Sequence, residues 1–161
     1  MKKSSNIFLI LVVVLLQLQC SDPISVPPDI PIKELLAAPE TLPVRNQNIF
    51  LYTSIYLDLQ PVISKTPMII PTFIETTDSS DFPRNVTVDA IYIVNKNQIW
   101  KSYFANETLP EPELRPFRIF KIARKGPYWG PGIYVDVLVS LKIDNKMFLL
   151  RARDQLIRAV F

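Results

Sequence analysis

A period-two alternation of side-chain types constrains the fold of this 161-residue chain more than any other feature. In the run IFLYTSIYLDL, the aliphatic side chains share one face of an extended strand: Ile49, Leu51, Ile55, Leu57 and Leu59. The opposite face carries Phe50, Tyr52, Tyr56 and Asp58. Such alternation is typical of a β-strand that buries one side.

Similar short runs recur to the end of the chain, and none has a sustained helical period. They predict eight strands over residues 49–59, 68–75, 86–94, 99–105, 117–123, 133–143, 146–153 and 157–161. Short strands of β-branched and aromatic residues separated by turn signals predict an all-β fold, an antiparallel β-sandwich.

Turn residues supply the connections between some of these strands. Asn95-Lys96-Asn97 predicts a hairpin between the third and fourth strands, and Asp144-Asn145 predicts one between the sixth and seventh. Asn and Asp tolerate the positive φ that tight hairpin turns need. Pro71 lacks a ladder donor, so it predicts that the second strand is an edge strand or a bulged one.

The beginning of the chain has a different pattern. Lys2 and Lys3 precede an unbroken apolar run over residues 7–16, and the chain's single cysteine follows as Cys20. A run of that length fits the h-region of a secretory signal, whereas a membrane span needs about 20 apolar residues. This segment therefore directs the protein to its location and belongs to no folded core.

The arrangement of residues 1–20 resembles the signal peptide of a bacterial lipoprotein precursor, with Gln17, Leu18 and Gln19 forming a relaxed lipobox before Cys20. The resemblance implies that Cys20 is lipidated and becomes the mature N-terminus. It also implies a lipid-anchored protein of the cell envelope, with Ser21 in the second mature position favouring the outer membrane of a diderm bacterium. Ordinary secretion and an uncleaved anchor are the two alternatives.

Residues 21–43 contain six of the fifteen prolines of the chain. Because proline fixes φ and removes a hydrogen-bond donor, this segment predicts an extended tether, with one or two helical turns available after Pro31. Residues 44–161 then predict one globular domain, long enough to bury about two-thirds of its unfolded surface. With Cys20 lipidated, no disulfide forms within one chain, so a packed core must supply the stability.

The end of the chain, GIYVDVLVSLKIDNKMFLLRARDQLIRAVF, is similar to the closing strands of bacterial immunoglobulin-like and fibronectin-like modules. This resemblance implies an immunoglobulin-like β-sandwich. The cysteine pair of antibody domains has no counterpart here, and Trp100 stands alone.

The composition argues against most enzyme classes. The chain contains no histidine, which excludes Ser-His-Asp and Cys-His systems and imidazole metal sites. A glycosidase needs only two carboxylates, and Glu107, Glu111, Glu113 and Asp136 are available. However, Glu111 and Glu113 alternate with prolines in a solvated loop, and Asp136 lies on the strand face opposite Val135 and Val137. No cofactor or metal is expected, because the acidic residues around Asp78 lack calcium-loop spacing.

The most distinctive motif is GPYWGPG at residues 126–132, which carries Tyr128 and Trp129 between glycines and prolines. Such a backbone can hold an aromatic pair in one pose for recognition of a sugar face or a partner surface. Alternatively, Trp129 covers the end of the core.

Charge is divided unevenly along the chain. Residues 115–161 hold ten basic and three acidic side chains, whereas residues 21–114 hold six basic and twelve acidic ones. Arg118, Arg124 and Lys125 lead into the aromatic loop, and we take them with Tyr128 and Trp129 as the candidate binding residues. A basic surface of this kind suits an anionic partner, and pairing with the acidic half of the chain is the alternative.

Residues 21–161 carry 16 basic and 15 acidic side chains, a net charge of +1 that gives no case for nucleic acid. These features together predict a non-catalytic envelope module, joined to the membrane by lipid on Cys20, that binds a protein or glycan partner. The alternative is an inhibitor, or a small carboxylate-dependent hydrolase, acting on an envelope enzyme or polymer.

Overall fold

The structure is a computed structural model that describes residues 30–59, 68–106 and 115–161. The predicted signal peptide, Cys20 and the first part of the predicted tether lie outside these residues. In the described ranges the chain is almost entirely β-structure, and it includes no helix long and apolar enough to cross a membrane.

The described residues form one short helix and nine strands. In chain order they are α1 (Ile32–Leu36), β1 (Thr41–Val44), β2 (Gln47–Thr53), β3 (Ile55–Asp58), β4 (Met68–Thr76), β5 (Val86–Asn95), β6 (Gln98–Tyr103), β7 (Arg118–Gly126), β8 (Tyr134–Ile143) and β9 (Lys146–Val160). The predicted first strand divides into β2 and β3, and the last two predicted strands join as β9.

The strands pair in the order β1-β2-β4-β3-β9-β8-β5-β6, with β7 on the other edge of β4. All of the pairs described are antiparallel except β3 with β9, where Ile55 lies beside Ile157 and the strands run parallel. The inner faces of β1, β2, β4 and β7 pack against those of β5, β8 and β9 to form one core. The all-β, sandwich-like fold is therefore confirmed, whereas its pairing is mixed and not purely antiparallel.

Strand β8 shows how the period-two pattern builds this core. Val135, Val137, Val139 and Leu141 are at most 3% exposed and face inward, whereas Lys142 is exposed on the opposite side. Deleting such a buried aliphatic side chain typically costs about 1–5 kcal/mol, depending on how much of it is removed, so this row contributes much of the stability.

Pro71 does not lie in an edge strand, because β4 has β2 and β3 on one side and β7 on the other. Its carbonyl accepts a hydrogen bond from the Ser54 amide at 3.0 Å, but proline has no N–H to return. The ladder is interrupted at this point, which explains why the predicted first strand divides at Ser54. The register irregularity of β4 lies nearby, between Met68 and Ile70.

Both predicted hairpins are present. Asn95 pairs with Gln98 and Lys96 has φ 52°, while Ile143 pairs with Lys146 across Asp144 and Asn145, whose φ values are 45° and 66°. In the second hairpin Asp144 and Asn145 adopt the left-handed conformation that their sequence signal indicates, whereas in the first hairpin it is Lys96, between the two asparagines, that adopts it.

The extended tether predicted for residues 21–43 needs correction over its described part, residues 30–43. This part contains α1 and β1, and the side chains of Leu35 and Leu42 are 0% and 8% exposed. Helix α1 begins after Pro31, whose carbonyl accepts a hydrogen bond from the Leu35 amide at 3.1 Å. The prolines of residues 30–43 lie at the ends of short elements and do not prevent them from forming. The apolar side chains between these prolines have a sheet face on which to pack.

That sheet face is the outer side of β5 and β8. Leu35 and Ala38 pack there on a second cluster of buried side chains, composed of Ala90, Tyr92, Val94 and Leu138. The segment that includes α1, residues 30–39, is called the strap below. Because of it, β5 and β8 are buried on both faces over part of their length.

Arg151 of β9 fixes the end of the strap. Its guanidinium donates to the Leu36 carbonyl and pairs with Asp136, with Nη2 to Oδ2 at 3.1 Å, and its backbone amide donates to the Pro39 carbonyl at 2.9 Å. The side chains of Arg151 and Asp136 are only 11% and 20% exposed. A charged pair this sheltered is costly to break, because the remaining partner is left without a counter-charge.

We expect Val137→Asp to destabilise the domain by roughly 3 kcal/mol or more, because it places an unpaired charge at a fully buried position. Lys142→Glu on the exposed face of the same strand should change stability by less than about 0.5 kcal/mol. Denaturant unfolding of the two variants measures the difference. Equal stability of the two variants would contradict the inward orientation of Val137.

Candidate functional site

The GPYWGPG motif forms the loop between β7 and β8. Gly130 and Gly132 have φ values of 79° and 86°, which side chains other than glycine rarely adopt. The Gly132 amide donates to the Ile157 carbonyl at 2.8 Å, and the Trp129 amide donates to the Pro127 carbonyl at 3.1 Å. The loop is therefore held against β9 by a backbone hydrogen bond and has a defined shape.

A bulge precedes this loop at the end of β7. Met68 pairs with Gly126 and Ile70 with Ala123, so β7 has one residue more than β4 in this interval, and Lys125 has φ 61°. A Cβ atom on Gly126 would lie 2.8 Å from the Met68 Cβ, so glycine is needed there. Arg124 and Lys125 are both exposed. Bulges commonly redirect side chains at the end of a strand in this way.

The two aromatic residues of the loop have different environments. Tyr128 is 60% exposed, whereas Trp129 is half-buried and packs against the main core. Trp129 therefore covers part of the core, which is the alternative that the sequence left open. Tyr128 is the aromatic side chain of this loop that a partner can reach.

Arg118 lies apart from the other candidate residues. It is the first residue of β7 and six residues before Arg124, a separation of about 20 Å along an extended strand. Its Nη2 atom lies 2.7 Å from Glu75 Oε1, and its guanidinium lies 4.9 Å from the centre of the Phe73 ring. Its Nε is buried without a hydrogen-bond partner. Arg118 is thus engaged within the sheet.

The end of β9 adds residues that the sequence alone did not assign to the site. Arg158 pairs in register with Tyr56, and Tyr56 pairs with Ile69, which lies opposite the bulge of β7. Arg158 is exposed, and Phe161, just beyond β9, is 86% exposed. The pairing of Tyr134 with Leu156 and the hydrogen bond from the Gly132 amide to the Ile157 carbonyl bring the end of β9 to the loop.

We call this surface the basic-aromatic end, and define it by five exposed residues: Arg124, Lys125, Tyr128, Arg158 and Phe161. Arginine and tyrosine are enriched in the energetically dominant residues of protein interfaces. An exposed cationic surface also attracts anionic groups over about 10 Å at moderate salt.

Several other basic residues pair within the chain. Arg118 contacts Glu75, Arg153 contacts Glu40 with Nε to Oε1 at 2.7 Å, and Arg151 contacts Asp136. The first two pairs join the basic and acidic parts of the chain, as the pairing alternative predicts. Internal pairing therefore describes these positions, and the cations of the basic-aromatic end, Arg124, Lys125 and Arg158, are exposed.

An aromatic row crosses the outer face of β2, β4 and β7. The rings of Tyr52 and Phe73 stack at 5.3 Å between centroids, and those of Phe73 and Phe120 lie at 5.2 Å. These residues are register partners, so the row stabilises the sheet through cross-strand pairs. Both faces of the Phe73 ring are occupied by its neighbours.

The acidic residues considered for catalysis or calcium are partly outside the described residues. Glu107, Glu111 and Glu113 lie in residues 107–114, which are outside them, and Asp136 is paired with Arg151. Hydrogen bonds donated by the Ser80 hydroxyl and then by its amide lower the pKa of the exposed Asp78 carboxyl. Within the described ranges, no group of three or more acidic, histidine or cysteine side chains could hold a metal ion.

Comparison of the chain with protein-family models, with curated proteins and with solved structures found no match. The functional argument consequently depends on the geometry of the chain itself.

We expect Trp129→Ala to lower the free energy of unfolding by about 2 kcal/mol or more, because it removes a large side chain packed on the core. Tyr128→Ala should change it by less than about 0.5 kcal/mol, since that ring is mainly in water. Chemical denaturation of both variants tests the assignment. An equally small effect at both positions would show that Trp129 contributes little to the core.

Proposed function

We propose that this protein is a lipid-anchored, non-catalytic binding or assembly module of the cell envelope, and that its basic-aromatic end contacts a protein or glycan partner. One observation carries the proposal: the fold gathers exposed cations and aromatic rings from β7, the following loop and the end of β9 into one surface. The immunoglobulin-like topology belongs to the same proposal. It is supported by the packing of the inner faces of β1, β2, β4 and β7 against those of β5, β8 and β9.

The proposed location rests on the pattern of residues 1–20. Lipid on Cys20 would anchor the chain in the envelope, with the outer membrane of a diderm bacterium as the proposed site. The strap begins at residue 30, so about ten residues separate the anchor from the described part, a span of about 30 Å if fully extended. A domain held at that distance is well placed to meet a membrane-bound or wall-bound partner.

The chemistry of the basic-aromatic end indicates the kind of partner. Arg124, Lys125 and Arg158 favour a surface with acidic groups, and Tyr128 supplies an aromatic contact with few side-chain torsions to restrict. Complementary charge mainly increases the association rate and the selectivity, while a buried aromatic anchor supplies much of the affinity.

Lipidation is tested first by Cys20→Ser. We expect the variant to lose incorporation of a clickable fatty acid and to leave the membrane fraction or accumulate as precursor, because the thiol is the proposed acceptor. Ser21→Ala is the control and should be labelled as the natural chain is. Labelling that persists in Cys20→Ser would refute lipidation at this residue.

The binding surface is tested by reversing Arg124 and Lys125 to Glu in the full lipidated chain. We expect partner capture from detergent-solubilised envelope to fall by about tenfold or more and to weaken with added salt, because the cations face the partner. The matched control reverses the exposed Lys142 and Lys146, which lie at and beside the β8-β9 hairpin and undergo the same change of charge.

Equal losses in the two double variants would mean that net charge alone governs capture. Full capture by the Arg124 and Lys125 reversal would exclude the basic-aromatic end as the binding surface. Protease treatment of the captured material then distinguishes a protein partner from a glycan.

A further inference from the structure

A groove of about 750 Å³ lies on the outer face of the β6-β5-β8-β9 strands, next to the strap and away from the basic-aromatic end. Tyr103, Ser140 and Leu149 of its lining belong to one row of register partners, in which the buried Ala90 lies between Tyr103 and Ser140. The adjacent row, Lys101, Tyr92, Leu138 and Arg151, leads under the strap. The groove therefore opens where the cover that the strap provides comes to an end.

A small side chain lies at the floor. Ser140 is 4% exposed and lines the groove between Tyr103 on the β6 side and the strap residues Ala37, Ala38 and Pro39 on the other. Tyr103 is 64% exposed, so its ring forms a wall that an occupant of the groove can contact.

Polar groups line the same space. A register shift between Val88 and Ala90 marks a bulge at Asp89, which lines the groove. The Ser140 hydroxyl accepts a hydrogen bond from the Ala90 amide at 3.1 Å and lies 3.5 Å from Asp89 Oδ2. Glu34 of the strap is also part of the lining, and so is Lys101.

Lys101 is held beside two aromatic rings. Its Nζ lies 5.5 Å from the centroid of Tyr92 and 5.8 Å from that of Tyr103, within the range of cation-π contacts. The groove thus combines an aromatic wall, one ammonium, two carboxylates and one hydroxyl.

This combination discriminates between classes of ligand. A purely apolar ligand would remove water from the exposed carboxylates of Asp89 and Glu34 without replacing their hydrogen bonds, which is unfavourable. An anion would meet two carboxylates against one ammonium, and a cation would meet Lys101 at the aromatic wall. A neutral molecule with many hydroxyls and an apolar ring face satisfies both the polar groups and Tyr103.

We propose that this groove is a binding site for a neutral saccharide, with Tyr103 stacking on a sugar ring and Asp89 accepting hydrogen bonds from its hydroxyls. The site does not use the basic-aromatic end. A test of saccharide binding in the groove can therefore fail or succeed independently of the test of the basic-aromatic end.

The experiment is saturation-transfer-difference NMR on the full chain in a detergent without a sugar headgroup. The probes are maltotriose, cellotriose and tri-N-acetylchitotriose, with trigalacturonate as the anionic comparison. We expect saturable transfer to at least one neutral trisaccharide, strongest at ring protons, and weaker transfer to the anion.

Tyr103→Ala should weaken that binding by about tenfold or more, because it removes the stacking ring. Tyr134→Ala is the matched control, since Tyr134 is also 64% exposed on a strand but does not line the groove, and it should bind as the natural chain does. Asp89→Asn should also weaken binding, because the amide is a poorer acceptor than a carboxylate.

Absence of saturable transfer to every neutral probe would overturn the proposal, as would a preference for trigalacturonate. Equal binding by Tyr103→Ala and Tyr134→Ala would also overturn it. The circular dichroism spectrum and unfolding midpoint of Tyr103→Ala must match those of the natural chain. If the spectrum or midpoint differs, Tyr103→Phe is used instead, because this variant keeps the aromatic ring. We expect Tyr103→Phe to retain binding, and a loss of binding in this variant would contradict the proposal that ring stacking holds the sugar.

Discussion

The parallel pairing of β3 with β9 is the interaction on which the architecture depends. β9 first pairs with β8 and then continues beside β3, so one strand belongs to both halves of the sandwich. Asp154 has φ 51° near the register shift between Val135 and Val137, where β9 changes direction. Through this continuation, β9 joins β3 and its neighbour β4 to the strands that follow from β8.

The strap solves a second problem, which is that β8 is apolar on its outer face as well as its inner one. Leu138 is fully buried although it alternates with the inward valines, and Leu35 covers it. The strap is too short to be stable as an isolated helix, so it depends on this apolar contact and on Arg151 at its C-terminal end. The saccharide groove follows from the same arrangement, since the small side chain of Ser140 beyond the strap is left with an open space above it.

Local patterns in the sequence predict a large part of this fold. The alternation around Val137 identifies the buried face of β8, and Asp144-Asn145 identifies its hairpin, because both depend on neighbouring residues only. Residues 30–43 were assigned to a tether because proline content outweighed the apolar side chains, whose partners lie far away in sequence. Pro71 predicts an edge strand or a bulged one, and of these the structure has the second: β4 lies between other strands, with a register irregularity between Met68 and Ile70 and an interruption of the pairing at Ser54.

The candidate site was predictable to a similar extent and for the same reason. Arg124, Lys125 and Tyr128 lie close together in sequence and remain close in the fold, whereas the place of Arg158 depends on how far the pairing of β8 with β9 extends toward the start of β8. Arg118 belongs to the same basic stretch of sequence, but it lies at the opposite end of β7 from Arg124. Composition does not indicate that distance.

Arg118 and Arg124 lie near opposite ends of β7, and their side chains have different environments. Arg118 packs over Phe73 and pairs with Glu75 at 2.7 Å, so a partner would have to break existing contacts to use it. Arg124 follows the last core residue of β7, lies within its bulge and is exposed. The bulge therefore marks the point where the side chains of β7 change from buried in the core to exposed at the border of the sheet.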